Sequence, residues 1–409
     1  MAYGNEICDE ELEIIFLFLK FDFTDGKRIM LKKIYYIAYF SNNEEKRKRD
    51  AVPAADLQVS YLSQVFSEIG YEVEILSPNI PNNGKKIFHI QKGFVKQVEK
   101  NINVRYFNCL ESSSRIIRYF SRRIAVLSAA RYLKGVKDGK IVIYHSRIFY
   151  PFYHLLKRIG RDYILELEEI YLDVIGDDKK RKREISEVSK ATAYILPSIP
   201  LAEEVTQGKK YVLYHGSCRN EKQIGMGFHD GRIHVVYAGT FDPRVIGKLS
   251  LIQAAEYLDE RYHIHVIGFG RNQSDVDRII GEVNEMQGKS CKVTYDGLLL
   301  GEDYISFLQS CDIGMFSRDP NGRDINSSFP SKIMSYLSNG LHVVATRADS
   351  IERSEVGNIV CFCNTNDPKD VADAIMHVDL SVPYDSREKL MEIESRLKVN
   401  LKQLLSNFD

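Results

Sequence analysis

The sequence predicts an α/β protein built from two units, each a parallel sheet flanked by helices. Three observations carry that prediction. At 409 residues the chain exceeds what one compact core accommodates. Short apolar runs of strand character alternate with amphipathic stretches along nearly its whole length, as in strands joined by crossover helices. Over residues 217–231, SCRNEKQIGMGFHDG, the alternation halts in a polar, glycine-containing linker and then restarts.

Residues 1–29 read as an extension, and Met30-Leu-Lys-Lys-Ile opens the first strand as a domain start would, so Met30 is expected to be the true initiator. The first unit, 30–216, begins with a strand at Ile34–Phe40. A helix follows over Ala54–Ile69, where Val59, Leu62, Phe66 and Ile69 share a face and Gly70 provides the stop. Strands are expected at Glu72–Leu76 and Val104–Phe107, then a helix over Ser113–Leu133 carrying Arg115, Arg118, Arg122, Arg123 and Arg131. Strand Ile141–Tyr144, helix Pro151–Arg158, strand Tyr163–Leu167, the charged helix Asp178–Lys190 and strands Ala193–Leu196 and Tyr211–Tyr214 complete it. The second unit, 232–385, repeats the pattern with strands at Ile233–Ala238, Ile264–Ile267, Val293–Tyr295, Ile313–Phe316, Val343–Ala345 and Ile359–Phe362. Residues 386–409 form a polar helix with Leu390, Ile393, Leu397, Leu401 and Leu404–Leu405 along one side, expected to dock across both units. Open parallel sheets bind ligands at the carboxyl ends of their strands, so two such units place a site in the cleft between them.

Composition narrows the function. With 44% hydrophobic and 27% charged residues the chain is globular, and no apolar run approaches membrane-spanning length. Asp9, Glu10, Glu11 and Glu13 precede the short apolar stretch Ile14–Phe23, where a secretory signal needs positive charge. Seven cysteines without framework spacing indicate a reducing compartment, and Cys361 and Cys363 read as strand residues rather than a metal pair. A cytoplasmic location is expected. The net charge is zero, yet residues 30–210 carry an excess of about eleven positive charges and residues 211–409 about seven negative. The basic half suits anionic lipid or an anionic acceptor, and the Arg-rich helix 113–133 suits a membrane surface. Nucleic acid is not an expected partner.

The most informative stretch is Asn326–Thr346, NSSFPSKIMSYLSNGLHVVAT. Ser327 or Ser328 can cap a helix, Pro330 suits its first turn, and Gly340 ends it before the strand at Val343. Ile333, Met334 and Leu337 make one buried face. A helix opening with Pro-Ser-Lys offers N–H groups at Ser331 and Lys332, a dipole end and an ammonium, a combination suited to a diphosphate.

Three further motifs stand upstream: Val236-Tyr-Ala-Gly-Thr-Phe-Asp; His265-Val-Ile-Gly-Phe-Gly; and Val293-Thr-Tyr-Asp-Gly with Asp303-Tyr-Ile-Ser-Phe-Leu-Gln-Ser-Cys-Asp-Ile-Gly. In this order the four motifs resemble the GT-B glycosyltransferases, specifically the GT4-like group 1 branch found in polysaccharide assembly. The resemblance runs from about Met30 to the C-terminus and is strongest over residues 233–377. It implies two facing Rossmann-like domains with a C-terminal helix crossing between them. It also implies transfer of a sugar from a nucleotide diphosphate sugar to a hydroxyl of a glycan or lipid-linked glycan. By resemblance the reaction retains anomeric configuration and needs no metal and no cofactor beyond the co-substrate. The setting would be cell-surface polysaccharide biosynthesis, at the inner face of the membrane.

The same resemblance assigns roles. Gly239 and Thr240 would approach the donor phosphates, with Arg244 or Lys248 supplying charge, and Gly268 would form the glycine turn after the second strand. Gly297 and Leu298 would read the base, while Pro330, Ser331 and Lys332 would meet phosphate. Where relatives carry a pair of glutamates eight residues apart, this chain has Ser327 and Ser335, with Asp324 able to take over the sugar contact. That departure leaves open a catalytically silent protein binding a glycan or a partner transferase; a sugar-nucleotide epimerase built on the same fold is a further alternative. In the first unit Glu168 stands where relatives have a histidine, and Glu169 follows; either orients sugar hydroxyls or acts as a base. His145 is a candidate for the acceptor side, Lys46-Arg-Lys-Arg49 a basic lip over it, and His215-Gly216-Ser217 a structural turn.

Overall fold

On the first strand, β1 (Lys32–Ile37), Ile34 and Tyr36 face one core and Tyr35 and Ile37 another, so both sides are buried. Burial on both faces is what a central strand of a parallel sheet requires. The computed structural model describes residues 32–41, 49, 53–81, 89–175, 178–241, 249–320, 322–382, 384 and 386–407. The expected extension 1–29 and Lys46–Lys48 of the expected basic lip lie outside the described residues, whereas its last residue, Arg49, is buried and donates to the Asn79 carbonyl at 2.8 Å, so it is no part of a lip. Residues Lys33–Asp409 cluster as one unit.

In chain order the next strands are β2 (Tyr71–Ser77), β3 (His89–Gln91), β4 (Phe94–Glu99), β5 (Ile102–Tyr106), β6 (Cys109–Glu111) and β7 (Lys140–Tyr144). They are followed by β8 (Ile164–Glu166), β9 (Ala193–Leu196) and β10 (Tyr211–Leu213). The first sheet has eight strands in the order β10-β9-β8-β7-β1-β2-β5-β4. Its edge strand β4 runs antiparallel to β5, a departure from the all-parallel expectation, and β3 and β6 form a separate antiparallel ribbon. β3 and β4 are largely exposed, so no alternation of apolar and polar residues announces them.

The second half contains β11 (Ile233–Thr240), β12 (Tyr262–Phe269), β13 (Lys292–Gly297), β14 (Ile313–Phe316), β15 (His342–Thr346) and β16 (Val360–Cys363). They form a six-stranded sheet in the order β13-β12-β11-β14-β15-β16, parallel at every pair. The strand order reverses between β11 and β14 here, and between β1 and β7 in the first sheet. Such switch points open a crevice at the carboxyl ends of the strands.

Each sheet is covered on both faces by hydrophobic clusters of its own. The last helix, Ser386–Ser406, joins them: Leu390 and Ile393 pack into the second half, and Leu397, Leu401, Leu404 and Leu405 into the first. Linker residues are held by Gln309, whose side chain accepts from the N–H groups of Ile224 and Gly225 at 2.8 Å and donates to the Lys222 carbonyl at 2.9 Å. Ser198 Oγ, at the start of the helix Ile199–Val205, donates to the Asn326 carbonyl at 3.0 Å, and Arg353 pairs with Glu203. These contacts fix the segment before the Pro-Ser-Lys helix against the first half.

Candidate functional site

The helix Ser331–Ser338 is seated by Tyr336, a buried ring over Gly314 of β14. Its hydroxyl donates to the Met315 carbonyl at 3.3 Å and accepts from the Ala238 N–H at 3.0 Å, so it bridges the two strands flanking the switch point. Lys332 lies one turn earlier on the same helical face. Its ammonium therefore arrives at the carboxyl end of β11, 5.8 Å from the Tyr237 ring centroid and against Gly239. A Cβ on Gly239 would collide with Lys332 Nζ, so the glycine is what makes room for the charge. Burial, and next the nearby Arg318, push the Lys332 ammonium down to about 8. Neither Ser327 nor Ser328 caps this helix as expected: Ser327 ends the short helix Arg323–Ser327, Pro330 stands at the N-cap rather than in the first turn, and Ser331 is exposed at the helix start.

Three adjacent strands end alike. Gly239 of β11 is in register with Gly268 of β12, Thr240 with Phe269, and Gly297 closes β13 beside Ile267. Gly268 has a φ of +142°, and a Cβ there would overlap the Gly239 carbonyl. This edge is consequently a floor of bare backbone, with Thr240, Phe269 and Leu298 exposed beyond it. Tyr295 steadies it by donating its hydroxyl to the Gly268 carbonyl at 3.2 Å.

The two serines at the glutamate positions differ. Ser335 Oγ lies 3.2 Å from the Tyr304 hydroxyl, whereas Ser327 Oγ is buried without a hydrogen-bond partner. Arg244 and Lys248 lie outside the described residues, as does the side chain of Asp324. The second cation the described residues bring beside Lys332 is Arg318, just past the end of β14. It belongs to no motif in the sequence, so only the fold identifies it.

The carboxyl edge of the first sheet is built from acids. Glu166 ends β8 fully buried, and the Tyr36 hydroxyl donates to it. Glu168, two residues on, accepts from Gln58 Nε2 at 2.7 Å, and Gln58 Oε1 accepts from the Tyr144 hydroxyl at 3.2 Å. Burial, and next the Glu168 charge, hold Glu166 well above the carboxylate range, which makes it the protonated partner. Burial pushes Glu168 up to about 7 against hydrogen bonds from Glu166 and Gln58, with the Glu169 charge adding to the rise. The sequence reading placed Glu168 and Glu169 here but missed Glu166; the two-residue spacing, which puts Glu166 and Glu168 on one side of an extended chain, was the available signal. His145 is buried, with Nδ1 3.0 Å from the Tyr153 hydroxyl and Nε2 3.0 Å from Glu184 Oε1, its ring stacked on Tyr171. Both nitrogens are thus engaged within the first half. His215 Nδ1 donates to the Pro197 carbonyl at 2.7 Å and its ring packs on Phe329, a joint between the halves.

Comparisons with known proteins agree with this architecture. Residues 232–378 match the family described as Glycosyl transferases group 1. No curated protein sequence matches the chain. Among solved structures, an alpha,alpha-trehalose 6-phosphate synthase from Burkholderia multivorans is similar with a TM-score of 0.60 at 12% identity, over 93% of this chain and 96% of that one. A trehalose-6-phosphate protein from E. coli bound with UDP-2-fluoro glucose gives 0.57 at 11% identity, over 92% and 98%. The catalytic domain of starch synthase IV from Arabidopsis thaliana, bound to ADP and acarbose, gives 0.57 at 11% identity, over 90% and 99%.

Proposed function

With a GT-B fold and a group 1 glycosyltransferase domain over residues 232–378 as premises, we propose that the protein moves a sugar from a nucleoside diphosphate sugar to a hydroxyl of a glycan or lipid-linked glycan. The observation that carries this reading is the Lys332 ammonium set against Gly239 at the switch point. Charge develops on the β-phosphate as the glycosidic bond to it breaks. Lys332, the N–H groups at Ser331 and Lys332, and the bare backbone at Gly239 and Thr240 would stabilise that charge. Arg318 adds a second cation. Glu168, poised near neutrality, is suited to orient sugar hydroxyls or to hold a proton while the departing phosphate oxygen helps take the acceptor proton. The resemblance favours retention of configuration without a metal. Closure of the two halves over the substrates would exclude water, the competing acceptor. Similar structures bind a UDP-glucose analogue and ADP, which makes uridine and adenine diphosphate sugars the first donors to try.

A lipid-linked acceptor is supported by the helix Arg115–Gly135. It exposes Ile116, Phe120 and Leu127 along one face, with Arg123, Arg131 and Lys134 continuing the same row, and Tyr119 and Ile124 beside it. Apolar residues followed by cations along a helix face suit an anionic membrane surface. No described helix is long and apolar enough to cross a membrane. The test of the whole reading is a donor screen on the full chain, read as nucleoside diphosphate release with glycan and lipid-linked acceptors. Release with at least one donor is expected. Absence of both release and nucleotide binding by calorimetry would favour the silent reading, to which Ser327 and Ser335 point.

A further inference from the structure

Away from the nucleotide crevice, three histidines meet on one face of the second sheet. His234 lies near the start of β11 and is in register with His263 of β12, while His265 is two residues further on. All three are buried, and one ring nitrogen of each lies within 4.8 Å of the others.

With all three rings neutral, hydrogen bonding assigns which nitrogens carry protons. His234 Nε2 lies 2.9 Å from Asp230 Oδ1, and His265 Nδ1 lies 3.0 Å from Asp296 Oδ2. An ionised carboxylate only accepts, so both nitrogens are N–H donors. Thr294 Oγ1 donates to Asp296 Oδ2 at 2.9 Å and so accepts from His263 Nε2 at 3.1 Å. The remaining nitrogens are therefore lone pairs. His234 Nδ1 and His265 Nε2 face each other at 2.9 Å, and His263 Nδ1 is buried without a hydrogen-bond partner. Two facing lone pairs repel, and a cation between them turns repulsion into coordination. An outer nitrogen tied to a carboxylate is also how proteins fix a histidine for metal binding.

We propose that His234, His263 and His265 bind a first-row divalent cation, zinc above all. Three neutral imidazoles suit zinc, whose bonds of about 2.0–2.1 Å leave a fourth position for water. Phe228 stacks on His234 and His265 with ring centroids 4.1 and 5.0 Å away, and Asp230 ends the linker. A bound ion would thus pin the linker to the base of the donor sheet, at the opposite end of β11 from Gly239.

The full chain, stripped by chelation and dialysed, is titrated with cobalt(II), whose visible absorption reports tetrahedral nitrogen coordination. One equivalent is expected to give an intense band, zinc to displace it, and zinc to raise Tm. His234→Gln and His265→Gln each abolish the band, and Asp296→Asn weakens zinc binding roughly 10–100-fold. A wild-type chain that is folded by circular dichroism yet gives no band and no zinc-dependent rise in Tm overturns the proposal. So does a band that survives both histidine substitutions. The wild-type titration and Asp296→Asn keep the test decisive should a histidine variant misfold.

Discussion

The carboxyl edges of the two sheets carry opposite chemistry, and the proposed function assigns the donor to one and the acceptor to the other. The donor edge is bare backbone: Gly239, Gly268 and Gly297 end adjacent strands, and the charge is brought in by a helix start. The acceptor edge is side chains: Glu166, Glu168, Gln58, Tyr36 and Tyr144 form one hydrogen-bonded group, buried at Glu166 and Tyr36 and half-buried at the rest. A diphosphate needs close backbone approach and fixed positive charge, which little besides glycine, a helix N-terminus and a cation supplies. Hydroxyl recognition can be met by many polar sets, so the acceptor edge is free to differ. The contrast predicts that losing the donor-edge cation costs the most turnover, whereas damage at the acceptor edge also changes its pH dependence.

The largest effect is expected from Lys332→Met. Turnover should fall about 10²–10³-fold, the usual cost of removing a preorganised group that meets developing charge. The fold should survive and gain. Burial lowers the Lys332 pKa, so the folded state binds fewer protons than the unfolded one between about 8 and the ordinary lysine value of 10.5. The cost of the buried charge is fully present below about 8 and is relieved as pH rises through that window. At pH 7 the methionine variant escapes it, so its Tm should equal or exceed the wild type. Wild-type turnover in this variant would remove the phosphate-site argument.

Glu168→Gln sharpens the other side of the comparison. With Glu168 near 7, the wild-type rate should show a limb at that pH, and the amide should erase it while lowering the rate about 10²-fold. A limb that persists would mean another group titrates there. Gly239→Ala should cost roughly tenfold to a hundredfold without unfolding, because the colliding atom is the mobile end of Lys332 and a displacement of about 1 Å is enough. Unchanged kinetics in that variant would mean the ammonium does not need its seat.

The donor edge was legible in the sequence because its residues are dictated by backbone geometry. A glycine that admits an ammonium, a proline at a helix start and a glycine that stops the helix leave traces that do not depend on distant partners. The acceptor edge was only partly legible. Glu168 and Glu169 could be placed by position along a strand, but Glu166 becomes a proton holder only through burial in the folded core beside the Glu168 charge, against the hydrogen bond that Tyr36, from a strand 130 residues earlier, donates to it. Arg318 was invisible for the same reason, since its closeness to Lys332 is made by strand order and not by spacing. The central strands were read to within a few residues because both their faces are apolar; β3 and β4 were missed because they are largely exposed. The histidines of β11 and β12 share no sequence motif; register alone brings His234 beside His263.

The smallest effect separates charge from shape at the donor edge. Nucleoside diphosphate bound against Lys332 would restore the ammonium towards its ordinary value by supplying an anion to a buried cation. Binding above about pH 8 must then be accompanied by uptake of a proton. Affinity for the diphosphate should therefore be flat below that pH and decline above it, by up to about tenfold per pH unit for one proton. Lys332→Met should bind more weakly at neutrality and lose the slope altogether. Glu168→Gln should keep the slope, since that carboxyl lies on the other sheet. Calorimetry with UDP across pH 6 to 9.5 reads all three chains, and a slope shared equally by the methionine variant would place the titrating group elsewhere.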